Sequence, residues 1–150
     1  MDNKIIKFKI VTPERVVLEE DILQITVPTK EGEITVLANH IPLVASLQPG
    51  VIQIKKPSGE MEIISVSGGF IEVLKDKIVI LADTAERAHE IDETRAEEAY
   101  QRAEEIKQNA RQADRVNFTE INVNIAKELA RTHAVKRWRK IKDLNNKNIS

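Results

Sequence analysis

Arg95 and Arg102 stand seven residues apart, so on a helix they share one face, and Lys127 and Arg131, four apart, share another. If the two segments pack antiparallel about a turn near Asp114, Lys127 and Arg131 come opposite Arg102 and Glu98. Converging cations call for an anion, and a polyphosphate would serve. Glu98, bridging Arg102 at i,i+4 and Arg131 across the pair, would satisfy much of that charge without any ligand. The sequence has no phosphate-binding glycine loop. His40, in Asn39-His40-Ile41-Pro42, has no second histidine, cysteine or well-spaced carboxylate beside it, so a loop histidine bonded to backbone is expected rather than a general base. Ser67 precedes Gly68-Gly69 but lacks the Gly-x-Ser-x-Gly pattern of an activated nucleophile. No catalytic constellation emerges.

The elements that must position these cations change character near Asp83, where β-branched runs give way to an alanine-punctuated, charged stretch. Before that point, Phe8 and Ile10, then Ile22, Ile25 and Val27, sit in runs bounded by Thr12-Pro13 and by Pro28 to Gly32. Further strands are expected at Ile34 to Leu37, Val51 to Lys55, Met61 to Val66, Phe70 to Leu74 and Ile78 to Leu81. Gln48-Pro49-Gly50, Pro57 to Glu60, Gly68-Gly69 and Lys75-Asp76-Lys77 punctuate them. Many short strands at close spacing predict an antiparallel β-sandwich or flattened barrel over residues 1–87. The glycine pair inside an apolar stretch predicts a bulge or a close backbone approach.

Residues 88–150 read as a second module, an antiparallel α-helical hairpin with a basic tail. Ala96, Ala99, Ala103, Ile106, Ala110 and Ala113 follow at spacings of three and four, a seam of mostly small residues. Asp92 caps the first helix, with Ile91 and Ala96 as a weak staple. Asn117 with Glu120 makes a capping box for the second helix, and Val116 staples Ile121. Phe118, Ile121, Ile125 and Leu129 supply the second helix's apolar stripe. Each buried methyl contributes only about 0.8 kcal/mol, so the alanine seam permits close approach but holds weakly. A hairpin held so weakly can be shifted by a ligand that prefers one of its states.

Composition narrows the function classes. Aromatics make up 3% of the chain, against 31% charged residues, which argues against a base-stacking platform or an aromatic-lined pocket. The absence of cysteine excludes disulfides, thiolate catalysis and cysteine-based zinc sites, and suits a reducing compartment, with the cytoplasm as default. No leader pattern and no run of about 20 apolar residues occurs, so a soluble chain without a membrane span is expected. The charge is unevenly spread. Between Glu86 and Glu105 acids outnumber Arg87, Arg95 and Arg102, whereas from Arg131 onward Asp143 is the only acid. The tail, Lys136-Arg137-Trp138-Arg139-Lys140-Ile141-Lys142, would suit nucleic acid or an anionic surface. One aromatic makes no stacking platform, so a helix end with Trp138 packed on its neighbour is the stronger reading, and nucleic acid is not expected as a partner. Asn145 to Asn148 reads as frayed.

In order along the chain stand Val11-Thr12-Pro13-Glu14, Gly32-Glu33, Leu37 to Leu43, Leu47-Gln48-Pro49-Gly50-Val51, Ser67-Gly68-Gly69-Phe70-Ile71-Glu72-Val73 and Ile80 to Glu86. Together they resemble the epsilon subunit of F-type ATP synthase, bacterial type, with one departure: Thr35-Val36 stands where the family commonly has Gly-Ile. The resemblance implies a non-catalytic central-stalk subunit of a proton-translocating synthase, peripheral on the cytoplasmic face of the cell membrane. Its partners would be the gamma subunit and the c-ring, and its C-terminal helices would reach the alpha/beta catalytic head and restrain ATP hydrolysis. Ile91-Asp92-Glu93-Thr94-Arg95-Ala96 is similar to the motif the family associates with ATP binding in some bacterial members. The resemblance therefore implies a regulatory ATP site at Glu86, Asp92, Arg95, Arg102, Lys127 and Arg131, with no cofactor required. Lys127 stands where the family's binders tend to carry arginine, so a phosphate there would meet a point charge rather than a bidentate fork.

Overall fold

The structure, a computed structural model, describes residues 4–110 and 118–148. The first strand, β1 (Ile6–Val11), alternates strictly: Ile6, Phe8 and Ile10 are buried while Lys7 and Lys9 point outward. It pairs antiparallel with β2 (Val16–Ile22) and parallel with β9 (Lys77–Ala82). The remaining pairings are all antiparallel and join β3 (Gln24–Thr29), β4 (Gly32–Leu37), β5 (Leu43–Leu47), β6 (Gly50–Lys55), β7 (Met61–Val66), β8 (Gly69–Val73) and β10 (Ala85–Arg87). The strand order is β10-β7-β6-β3-β5-β8-β9-β1-β2, with β4 beside β3.

This single sheet curls into the expected flattened barrel around an aliphatic core that includes Phe8, Ile10, Ile25, Ile52, Ile54, Ile64, Ile71 and Ile80. Most expected strands stand within a residue or two of their places. Three were missed: β2, of which only Ile22 is legible as strand, and that together with Ile25 and Val27 of β3; β5, whose Leu-Val-Ala-Ser-Leu lacks clean alternation; and β10, which lies past Asp83, where the change of period suggested helix already. The strand character therefore persists to Arg87. A single 3-10 turn, η1 (Ala88–Glu90), then leads into α1 (Glu93–Ala110), and α2 spans Phe118–Lys147.

The second helix, α2, packs on β6, β7 and η1, and α1 packs on α2. Strand β7 is therefore covered on both sides. Ile64 and Val66 face the barrel interior, while Ile63 belongs to a second, separate apolar cluster with Val51, Ala88 and Ala134. Ile91, Trp138 and Ile141 pack at that cluster's margin. The near-continuous apolar run of β7 follows from this double coverage. The expected stripe on α2 is only partly the one used. Ile125 is buried, but Leu129 is exposed, and the buried face continues through Ala130, Ala134 and Val135 to Trp138. Helix α2 also continues through the stretch read as frayed, as far as Lys147.

Ala96 is fully buried in the helical seam, Ala99 and Ala103 are half-buried and Ile106 is exposed, so the α1–α2 contact loosens away from the sandwich. Asp92 caps α1 as expected, its Oδ1 accepting from the Arg95 N–H at 3.1 Å. The capping box at Asn117 and Glu120, the Val116 staple, the Asp114 turn and the side chains of Ala110, Ala113 and Phe118 lie outside the described residues.

At Gly69, with φ of 136°, an added Cβ would stand 2.1 Å from the Leu81 carbonyl oxygen, so the glycine pair does mark a close backbone approach. Gly69→Ala should destabilise the sandwich by about 2–4 kcal/mol in urea unfolding, with the loss shared by all the strands. Gly59→Ala, where no atom lies within 4 Å, isolates the cost of positive φ alone and should lose less.

Candidate functional site

The structure brings three of the six predicted site residues together. Arg131, on the sandwich-facing side of α2, donates from Nε to Glu86 Oε2 at 2.6 Å and from Nη1 to Glu128 Oε2 at 2.8 Å. Burial lowers the Arg131 pKa, but the bonds to Glu128 and Glu86 outweigh it and the net shift is upward. Lys127, one turn earlier, joins Glu86 in lining a cavity of about 370 Å³ with Thr12, Glu14, Arg15, Asp83 and Thr84. The cavity holds both signs of charge.

The other three lie apart. Asp92 is engaged as a helix cap, and Arg95, 83% exposed, lies 3.9 Å from Asp92. Arg102 is exposed and makes no ion pair among the described residues. Among the described residues Glu98 forms no ion pair with Arg131, whose guanidinium bonds Glu86 and Glu128. Arg139 pairs instead with Glu93, and Lys136 shares a groove with Glu93, Thr94, Glu97 and Glu98. Arg131 bonds Glu86 on β10. Helix α2 lays Ala134 and Trp138 at the sandwich-side cluster, and Arg131, one turn before Ala134, is thereby turned toward Glu86.

Neither of the other candidates acquires a catalytic environment. His40 Nδ1 lies 2.7 Å from the Ile41 carbonyl oxygen, as expected for a loop histidine bonded to backbone. Ser67 Oγ accepts from the Thr84 N–H at 3.0 Å and lies 2.7 Å from the Thr84 hydroxyl, tying the β7–β8 and β9–β10 connections together. Among the described residues, no group of histidine, aspartate or glutamate side chains is placed to hold a metal. Among the described residues no helix is long and apolar enough to cross a membrane.

A polar cluster that sequence reasoning missed sits where the barrel stays open. Edge strands β2 and β10 approach each other without a hydrogen-bonded ladder, and Glu20, Glu62 and Arg87 occupy inward positions there. Glu62, 5% exposed, accepts from Arg87 Nε at 2.7 Å and from Nη2 at 3.0 Å. Lys56 Nζ bridges the gap, 3.3 Å from Glu62 and 3.4 Å from Glu20. His89, in η1, lies 3.6 Å from Glu62. Burial pushes the Glu62 carboxyl up, but Arg87 and then Lys56 outweigh it and hold it below the usual carboxylate range. The one signal available in sequence was an acid inside the apolar run Met61 to Val66.

A wide face of the sandwich is left uncovered. The register aligns Ser46, Phe70, Leu81, Val11 and Val16 in one outward row and Val44, Glu72 and Val79 in the next. Phe70 is 56% exposed, and Val44, Leu81 and Val16 are comparably open. Exposed apolar side chains thus stand on strands β2, β9, β8 and β5, which with β1 are consecutive in the sheet.

A β-sandwich carrying a helical pair on one face, with an apolar field open on another, is the class this geometry defines. Known proteins agree. A family model described as the beta-sandwich domain of the ATP synthase Delta/Epsilon chain matches residues 5–88, and one for the long alpha-helix domain of the same chain matches residues 89–136. The ATP synthase epsilon chain of Dichelobacter nodosus is 47% identical over 97 residues, 65% of this chain and 68% of that one. The epsilon chain of Herpetosiphon aurantiacus is 45% identical over 116 residues, 77% of this chain and 85% of that one. Among solved structures, a chain in the OSCP/F1/c-ring assembly of Euglena gracilis mitochondrial ATP synthase superposes with a TM-score of 0.66 at 28% identity, covering 83% of this chain and 76% of that one. The chain belongs to the ATP synthase delta/epsilon family, as a bacterial-type epsilon subunit.

Arg87→Ala would leave the buried Glu62 carboxylate with Lys56 and His89 but without its guanidinium partner, and should cost about 3 kcal/mol in chemical unfolding. Because the folded Glu62 pKa is depressed, its contribution is fully present above the ordinary value of 4.5 and is lost as pH falls through the lower folded value. Wild-type stability should therefore fall below about pH 4.5, and Glu62→Gln should flatten that part of the profile.

Proposed function

We propose that this chain is a non-catalytic central-stalk subunit whose sandwich couples the gamma subunit to the c-ring and whose helices act as a conformational brake on ATP hydrolysis. The observation that carries the reading is the division of the sandwich surface. The field of Val16, Val44, Phe70 and Leu81 is open for a partner, while the β6–β7 face is covered by the chain's own α2. A subunit that must stay assembled while its helices change position needs its docking surface and its helix-binding surface to be separate.

Nucleotide sensing is a second reading. It is favoured by Glu86 and Lys127 lining one cavity while Arg131 is bonded to Glu86. A polyphosphate there would compete with Glu86 and Glu128 for Arg131, and Arg95 and Arg102 would have to move to reach it. Binding would thus be coupled to rearrangement of the hairpin.

In ATPase assays of the assembled catalytic head at several ATP concentrations, adding the full chain should lower the rate. A chain ending at Ala88 should release that inhibition and still co-purify with gamma. Phe70→Glu, placing a charge in the apolar field, should abolish co-purification while the variant stays folded; retained co-purification would rule out this face. For the second reading, calorimetry with ATP should show saturable heat that Lys127→Ala weakens, and no heat up to millimolar ATP would discard it.

A further inference from the structure

We infer that residues 137–147 form an intramolecular clasp through which this chain holds its own helical pair on the sandwich. The match to the family's helix domain ends at Lys136, whereas α2 continues to Lys147. The residues past that point do more than prolong a solvated helix. Trp138 and Ile141 pack at the margin of the cluster in which Val51 of β6, Ile63 of β7 and Ala88 of η1 meet Ala134 of α2. Arg139 pairs with Glu93 in the first turn of α1. Lys142 Nζ lies 5.1 Å from the centroid of the Trp138 ring. One short stretch of helix thus touches all three parts that must separate if the pair is to leave: sandwich, connecting turn and first helix.

The physical weight falls on Trp138. An indole buries far more apolar area than an alanine, and the buried residues of α2 nearest to it in sequence are Ala134 and Val135, both smaller. The charge pair fixes orientation more than it adds energy, because Arg139 is largely exposed. The cation over the ring shields its outer face while keeping its own charge in water. The clasp biases the pair toward the docked arrangement without a ligand, whatever the released helices do.

The chain's single tryptophan makes the clasp directly observable. In the full chain, Trp138 fluorescence should resist acrylamide quenching relative to free tryptophan. Arg139→Glu should raise the quenching, and adding Glu93→Arg should restore it. Trp138→Ala should accelerate tryptic cleavage between Arg95 and Lys136 by about tenfold, since a large-to-small change at a packed indole favours the open form. The strand-built fragment should stay resistant, which controls for global misfolding. A chain ending at Lys136 should be cut as fast as Trp138→Ala. Native Trp138 as quenchable as free tryptophan, or unchanged cleavage in both shortened and substituted chains, would overturn the clasp. Failure of the charge swap to restore protection would remove Arg139 from it.

Discussion

Strand β7 must serve two apolar environments at once. Its Ile64 and Val66 belong to the barrel core, and its Ile63 belongs to the cluster that receives α2. The two clusters are separated by the thickness of one strand, and they are unequal. The first is a many-stranded aliphatic core. The second consists of two strand residues, two alanines and a margin of Ile91, Trp138 and Ile141. Hydrophobic stabilisation scales with apolar area removed from water, so the helices are held by a small fraction of what holds the sandwich. A structure divided this way opens in parts.

The connection between the parts is itself firmly tied. β10 pairs with β7, and Arg87 at its end is fixed by Glu62 in the gap where the barrel fails to close. A buried carboxylate is tolerable there only because guanidinium and ammonium groups satisfy it. The chain is thus anchored up to Arg87, and the turn at Ala88–Glu90 ends at Ile91 in extended conformation before Asp92 caps α1. Any motion of the helices pivots past this anchor, which leaves the open face of Phe70 and Leu81 undisturbed.

The barrel was legible in sequence because alternation in β1 and the glycine and proline punctuation are local signals. β10 escaped because three residues carry no period and a neighbouring strand, not propensity, makes them extended. The hairpin's existence and the Asp92 cap were equally local. The partner of Arg131 was not, since spacing alone cannot reveal that Ala134 and Trp138 pack toward the sandwich and turn Arg131 to Glu86. The cation cluster inferred from the pair in isolation therefore divides: Arg131 bonds Glu86 and Lys127 lines the same cavity as Glu86, while Arg95 and Arg102 are exposed. The Glu62–Arg87 bond joins residues remote in sequence, and only Glu62's presence in an apolar run hinted at it.

Native-state amide exchange across the full chain, followed with rising denaturant, addresses the central claim most directly. Amides in residues 121–135 of α2 should exchange through an opening of lower free energy and weak denaturant dependence, while those of β1, β7 and β9 exchange only with global unfolding. Convergence of helix and strand amides on one opening, with one free energy and one denaturant slope, would contradict the division of the molecule into a fixed sandwich and a separately held pair of helices.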